Sequence, residues 1–405
     1  MALQTGQETV QLGRHAGGIQ TVETGLMAIT AAGQGARGAQ VNLAAPVGTD
    51  LKRQGGAVEG NTRHIQRRGQ MAETGIHRHT GASAGDHRRH ATQIQFGQYA
   101  GVLQTGGDAG VVRVHGTRKA LAINLDRSAY GVFAEIGAGQ EVVRHFFKAG
   151  GASGTVAKSM SAYDMRVSDA IYGHPKRYVS RERLEQMMGH EYGLLVDRLA
   201  SERGAQTRFF AFADTVATTP HDGKGQGHSW MGMRFQSEPG AEPSDVILHL
   251  RLWDKDAGRQ QDALGAVGVN LIHAALNTRD SVDNFLTALV DEVGAGRVEV
   301  EFVHFSGPAF GAFDNRAAAL RLVRLGLTDA VLFGPEGDPQ VPSEYFHKRS
   351  VLVARGTFRP VSIVNVDMLA CALRALPEGG KDVVPLFEMC IGSDPHPESE
   401  LIDRI

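Results

Sequence analysis

The chain has 405 residues, a formal net charge of -2 and a hydrophobic share of 42%. That is enough apolar matter for a core in at least one domain, and it gives no global reason to expect nucleic acid or an anionic membrane as a partner. Two cysteines, Cys371 and Cys390, exclude a disulfide framework and fit a reducing compartment.

Met1 to Gly25 lacks a basic start followed by an apolar run, and no window reaches the length of a membrane-spanning helix. The sequence therefore reads as a cytoplasmic protein without a membrane partner. Residues 1–117 are rich in Gln, Gly, Thr, Arg and His, with Phe96 and Tyr99 as their aromatics and Lys52 as their one lysine. Their apolar residues keep no period and offer little to bury, so a low-complexity, non-globular segment is expected. The same bias, with almost no Lys, is what a GC-rich gene yields when read in the wrong frame. On that reading the genuine start lies near Arg118-Lys119. His77, His79, His87 and His90 have the character of metal ligands, but no Cys or well-placed carboxylate completes a set. The arginines around them, Arg63 to Arg89, lack interleaved aromatic rings for base stacking, so nucleic acid is not an expected partner.

From residue 118 to 389 the pattern is that of an α/β domain. Ala120 to Leu125 reads as a strand, and two glycine loops follow. Gly137 and Gly139 precede a helix over about Gly139 to Lys148, whose Val142, Val143, Phe146 and Phe147 share a face. Amide groups around Gln140, Glu141 and Val142 would then point at an anion above the loop. Gly150, Gly151 and Gly154 lead into Lys158, Ser159 and Ser161, a flexible backbone with one ammonium and two hydroxyls. Neither loop meets a strict motif: Val142 stands where a dinucleotide fingerprint has its third glycine, and Ala157 where a Walker A loop has Gly before its Lys. The plainer alternative is a pair of turns, with Glu141 at the positive helix end and Lys158 in solvent.

A helix from Arg181 to Arg203 follows, capped by Ser180 and ended by Gly204. Strands are expected at Arg208–Ala213, Trp230–Gln236 and Val246–Trp253, then helices over 258–276 and 281–292. Val298–Phe305 reads as a strand, Asn315–Leu325 as a helix, and Ala330–Phe333, Val351–Ala354 and Val361–Val366 as strands before a helix at Met368–Leu376. Val383–Met389 reads as a last strand, and residues 390–405 as a polar tail. The fold class is α/β, a mixed sheet with flanking helices preceded by a non-globular N-terminal segment.

Polar residues at the ends of these strands are candidates for ligand contact. Asp214 follows the run RFFAFA, and His228 and Trp230 flank the strand WMGMRF, where an imidazole beside an indole suits a planar ligand. A core Trp next to a surface His is the plainer reading of that pair. Arg316, Arg355 and Arg359 could clamp a phosphate or carboxylate, or could make ordinary ion pairs, with Asp314 a helix cap beside Arg316. Together, Gly137, Gly139, Gly154, Lys158, Ser159, Asp214, His228, Trp230, Arg316, Arg355 and Arg359 suggest a site for a phosphorylated small molecule or nucleotide. The alternative is a non-catalytic scaffold in which the glycines shape turns and the arginines pair at the surface. Spacing alone assigns no catalytic base among His145, His228, His249 and the aspartates, and no cofactor.

Segments LAINLD, FAEIGAGQEV, FFKAGGASGTVAKSMSAYDM, SDAIYG, RFFAFADTVA, HSWMGMRFQ, ALGAVGVNLI, EFVHFSGPAF, LRLVRLGLTDAVLFGP and RGTFRPVSIVNVDML resemble, in order, a family of uncharacterised bacterial cytoplasmic proteins. The resemblance spans about residues 118–388. Members carry two conflicting labels, nicotinate (or nicotinamide) mononucleotide adenylyltransferase and TonB-dependent receptor. The first implies nucleotide binding, and its usual (H/T)-x-G-H signature has its nearest counterpart in Ile171-Tyr172-Gly173-His174, without the first residue. The second implies export and many alternating strands, a pattern this sequence does not carry. Family members continue past the counterpart of Val383–Met389, so the resemblance implies a truncation or frameshift before CIGSDPHPESELIDRI. A start near Arg118-Lys119 leaves no native peptide from residues 1–115 in a mass-spectrometric digest, and finding one overturns the frame argument.

Overall fold

A computed structural model describes residues 26–30, 116–220, 225–294, 296–376, 383–391 and 397–405. The elements begin with β1 (Leu26–Thr30), α1 (Gly116–Leu125), β2 (Ala129–Gly137), α2 (Val142–Ala149), β3 (Val156–Ala162), α3 (Met165–Tyr172) and α4 (Arg181–Arg203). Next come β4 (Arg208–Ala217), β5 (Gly227–Phe235), β6 (Ser244–Leu252), α5 (Ala257–Asn277), α6 (Val282–Leu289) and β7 (Val298–Ser306). The last part holds α7 (Asn315–Arg324), β8 (Ala330–Phe333), β9 (Pro339–Gln340), α8 (Pro342–Tyr345), β10 (Ser350–Arg355), α9 (Ile363–Ala375), β11 (Val383–Cys390) and α10 (Glu398–Ile402).

The larger sheet runs β3-β2-β4-β5-β6-β7. β3, β2 and β4 are parallel, and β4 through β7 are antiparallel, so the sheet is mixed, as the alternating pattern implied. Phe209, Phe210, Ala211, Phe212 and Ala213 of β4 are all at most 1% exposed. Such an unbroken apolar run is what a strand covered on both faces requires. On one face Phe133, Phe210, Phe212, Met231 and Met233 join the core formed with α1, α2, α5 and α6. On the other, Ala134, Ile136, Ala213 and Trp230 lie under Leu184, Met187 and Met188 of α4. Ser180 caps α4 by accepting the Arg183 amide, at the position its sequence signature marks.

Three expectations are corrected. Ala120–Leu125 belongs to helix α1 rather than to a strand, because six residues of LAINLD fit either period and tertiary contacts decide. Lys119, Ala120, Ile123 and Asn124 are its buried face; Lys119 Nζ donates to Asn270 Oδ1 and Asp291 Oδ2, each at 2.8 Å, and Asn124 Nδ2 donates to the carbonyls of Phe146 and Gly150. The Lys158 and Ser159 stretch is not a loop but the edge strand β3. Val361–Val366 is not a strand: Ser362 and Asn365 form a reciprocal capping box that starts α9 at Ile363 and draws the β-branched run into the helix.

The second sheet runs β10-β11-β1-β8-β9, so Leu26–Thr30 lies between two strands from the far end of the chain. β1 pairs in parallel with β11 and antiparallel with β8. Its run Leu-Met-Ala-Ile supplies the apolar matter that the composition of residues 1–117 otherwise lacks, and Met27, Ala28 and Ile29 are buried. Other candidates in residues 1–115, the four histidines and the arginines included, lie outside the described residues. In the polar tail, α10 buries Leu401 and ties Glu398 to Arg321 of α7 at 3.0 Å. Replacing Ile29, which is fully buried, by Asp is expected to lower stability by about 3 kcal/mol or more and to expose the amides of β8 and β11, read by thermal melting and hydrogen exchange. An unchanged melt shows that β1 carries no stability.

Candidate functional site

The parallel pairing of β2 and β3 separates the two glycine loops. Gly131 pairs with Val156 and Ile136 with Ala162, so Gly137 follows one end of the sheet while Gly154 precedes the other, roughly 20 Å away at ~3.3 Å per residue. At the Gly137 end, the amides that open α2 are already taken. Val142 N–H donates to Glu135 Oε1 at 2.8 Å and Val143 N–H to Glu135 Oε2 at 3.2 Å, so the chain's own carboxylate occupies the anion position. Gly137 adopts a φ of +78°, and a Cβ on Gly139 would lie 2.5 Å from Asp214 Oδ1. These glycines therefore answer to a left-handed turn and a close approach.

Asp214 pairs directly with Glu135 across β4 and β2, and both are buried. Burial, followed by repulsion from Glu135, pushes the Asp214 carboxyl well above the usual carboxylate range. Glu135 is pushed up to about 7 by burial, which outweighs its two helix amides. The pair thus holds protons near neutrality that it would release on unfolding.

The remaining cationic candidates are dispersed. Lys158 pairs with the buried Glu191, which also accepts the Tyr172 hydroxyl at 2.7 Å, while Ser159 is exposed. Arg316 pairs with its neighbouring cap Asp314 at 3.3 Å, and Arg355 with Glu388 at 2.9 Å. Arg359 lies between β10 and α9. His174 ends the segment after α3 and pairs with Asp169 at 2.9 Å.

His228 and Trp230 are brought together, on the face of the sheet opposite Asp214, since Trp230 pairs with Thr215 and Asp214 with Met231. Trp230 lies across from His249 of β6, their rings 4.8 Å apart. The register of β6 and β7 then slips: His249 pairs with Phe302 but Leu250 with Val300. Glu301 is the extra residue of this β-bulge, which turns it onto the face of Phe302 and His249 instead of the opposite one. Glu301 Oε2 lies 2.9 Å from His249 Nδ1, and Ser343 holds the carboxylate with its amide at 2.8 Å and its hydroxyl at 2.7 Å. His249 Nε2 lies 3.3 Å from His228 Nδ1. Burial would raise Glu301, but bonds from His249 and Ser343 keep it below its ordinary value.

Beside this chain is a cleft of about 380 Å³. Arg177, Arg181, Trp230, Phe302, Glu344 and Tyr345 line it. Trp230 Nε1 donates to Glu344 Oε1 at 3.1 Å, Arg177 approaches the same oxygen at 3.4 Å, and the Arg181 guanidinium lies 5.7 Å from the Phe302 ring centre. The walls carry two arginines and two carboxylates, Asp338 and Glu344, with Tyr345 half-buried and Trp230 and Phe302 almost wholly buried behind them. Of the lining residues the sequence singled out Trp230 alone. The arginines sit before and inside a helix whose exposed face reads as ordinary solvent charge, while His249 stood among several histidines that spacing could not rank and Glu301 is a single polar residue inside an apolar strand. Among the described residues no group of three or more His, Cys, Asp or Glu could hold a metal ion.

The described residues thus define an α/β protein with one sheet between helical layers and a second sheet bordering a polar and aromatic cleft. No protein-family model and no curated protein matches the chain. Among solved structures it is similar to the competence/damage inducible protein CihA from Agrobacterium tumefaciens, at 17% identity over 40% of this chain and 96% of that one, with a TM-score of 0.29. It is also similar to a competence or damage-inducible protein from Enterobacter asburiae, at 15% identity over 40% of this chain and 96% of that one, TM-score 0.30. A CinA superfamily protein from Enterobacter cloacae matches at 11% identity over 44% of this chain and 99% of that one, TM-score 0.30. Among the described residues no helix is long and apolar enough to cross a membrane.

The Glu135–Asp214 pair binds more protons folded than unfolded, so its contribution to stability is present below the usual carboxylate pKa and lost as pH rises toward about 7. Asp214→Asn keeps the shape and removes the repulsion. The melting temperature of this variant minus that of the wild type is expected to grow from pH 5 to pH 8, a difference in which the histidines cancel. A difference that stays flat with pH refutes the raised carboxyls of this pair.

Proposed function

We propose that the cleft at Trp230 binds a phosphorylated small molecule carrying a flat ring, a nucleotide being the natural class. The observation that supports this is one hollow of about 380 Å³ lined both by Arg177 and Arg181 and by the rings of Trp230, Phe302 and Tyr345. Guanidinium groups match phosphate oxygens in a fork, the half-buried Tyr345 ring can stack on a base beside the edges left by the buried Trp230 and Phe302, and the volume falls within the roughly 300–1,000 Å³ of small-ligand sites. The pair between Arg177 and Glu344 is open to solvent on the arginine side, so a phosphate can replace the carboxylate at little cost. A nucleotidyltransferase-like enzyme is the more specific form of this reading, and it requires a nucleoside triphosphate to compete for the same cleft.

A second reading, a non-catalytic partner-binding protein, draws on α9, where Ile363, Val364, Val366 and Met368 are exposed.

The chain has two tryptophans, and Trp253 is exposed, so Trp253→Phe leaves Trp230 as the sole indole reporter. Titrating that protein with AMP, nicotinate mononucleotide or glucose 6-phosphate is expected to change Trp230 fluorescence saturably for at least one ligand. Arg181→Ala or Arg177→Ala should weaken that ligand about tenfold or more, corresponding to ~1.4 kcal/mol, and Lys158→Ala should leave it unchanged. No response from the folded protein to any of the three sinks the cleft reading and favours the second one.

A further inference from the structure

The edges of the two sheets meet solvent in different ways. Among the described residues β3 is an edge of the larger sheet, and it carries Lys158 with Ser159 and Ser161 exposed, a polar character that keeps an edge from pairing with another chain. β10 is an edge of the second sheet, with β11 as its hydrogen-bonded neighbour, and between Ser350 and Arg355 it reads Val-Leu-Val-Ala. No charge, proline or bulge blunts that run, and Val353 is 45% exposed. Helix α9 follows and lies against both β10 and β11. Its buried residues are Leu369 and Ala370. Its outward stripe holds Ile363, Val364, Met368, Cys371, Ala372 and Ala375, with Ile363 70% and Met368 62% exposed. A surface helix normally turns a charged face to water, whereas the charges of α9 are Asp367 and Arg374, paired with each other at 4.0 Å.

We propose that β10 and α9 form the interface of a two-fold homodimer, in which β10 of one copy pairs antiparallel with β10 of the second and joins the two sheets. This gives the exposed α9 face an occupant and is independent of the cleft reading.

A two-fold axis requires the surface to match itself, and this one does. With the axis between Leu352 and Val353, Ser350 stands opposite the partner's Arg355, Val351 opposite the partner's Ala354 and Leu352 opposite the partner's Val353. No like charges face each other, and Arg355 keeps Glu388 of its own chain at 2.9 Å. A helix resting over β10 and β11 then lies about 10 Å from its mate, two strand spacings of ~4.8 Å, which is close to the distance at which helices pack. On α9 the axis falls between Ala370 and Cys371, with Asp367 and Arg374 equally far on either side. Antiparallel α9 helices therefore set Asp367 against the partner's Arg374 at both ends of the contact. Within one chain that pair is open to water, with its side chains 66% and 72% exposed, so it is held weakly and exchanges readily for the pair between copies. Cys371, Ala372 and Ala375 are small enough for the two helices to approach closely.

The molar mass of the full chain is measured by light scattering after gel filtration and by sedimentation over a dilution series. A dimer of twice 43.4 kDa is expected. Val353→Lys and Met368→Glu change exposed positions, so each should leave the circular dichroism spectrum unchanged while weakening association about tenfold or more. Asp367→Arg and Arg374→Asp should each be monomeric alone and should dimerise with each other when mixed, because the mixture restores opposite charges across the axis. A bismaleimide should link two copies through Cys371 in the Cys390→Ser background. A chain that stays monomeric at every concentration leaves this face to a different protein and overturns the proposal. So does a dimer that is indifferent to Val353→Lys and Met368→Glu, or a mixture of the two charge variants that stays monomeric. None of these outcomes bears on ligand binding at Trp230, which its fluorescence reports separately.

Discussion

Because β4, β5 and β6 are covered on both faces, a polar group entering the larger sheet gives up water and can be matched only inside the protein. The constraint follows from the cost of leaving a buried charge or hydrogen-bonding group unmatched, which is several times the net gain of an ordinary hydrogen bond. It explains why the polar residues of these strands occur as sets. Glu135 and Asp214 lie side by side on one face, their carboxyls raised by burial, and His228, His249 and Glu301 bond in series on the other. Lys119, inside a helix that packs on the sheet, meets Asp291 and Asn270.

The two faces use this constraint differently. On the α2 side the Glu135 carboxylate satisfies the helix amides, and Asp214 beside it has no hydrogen-bond partner among the described residues. On the α4 side the chain of bonds does not close. Glu301 and His249 are sealed in, but the series ends at His228, which is half-exposed.

The anion-binding stretch anticipated around Gly137 illustrates how a local pattern is overridden. Free helix amides, glycines, a lysine and hydroxyls are all present within a few dozen residues, yet parallel pairing sends the two loops to opposite ends of the sheet. The lysine meets the buried Glu191, which would otherwise have the Tyr172 hydroxyl but no cation. Proximity in sequence is a poor guide to proximity in space when a crossover helix lies between two strands.

The sequence by itself determined the class of fold, the extent of α4 with its Ser180 cap, and most strands from β4 to β8, because long apolar periods and capping residues act over a few neighbouring positions. It marked His228 and Trp230 as a pair, since they lie two apart on one strand. Only the tertiary structure decided that Ala120–Leu125 is a helix, that Leu26–Thr30 joins a sheet built from the C-terminal part, and that Arg177 and Arg181 face the same cleft as Trp230. It also decided the role of Glu301, which depends on a one-residue slip between β6 and β7 that no local period records. Long-range pairing sets such positions, and its energy lies in contacts between segments tens to hundreds of residues apart.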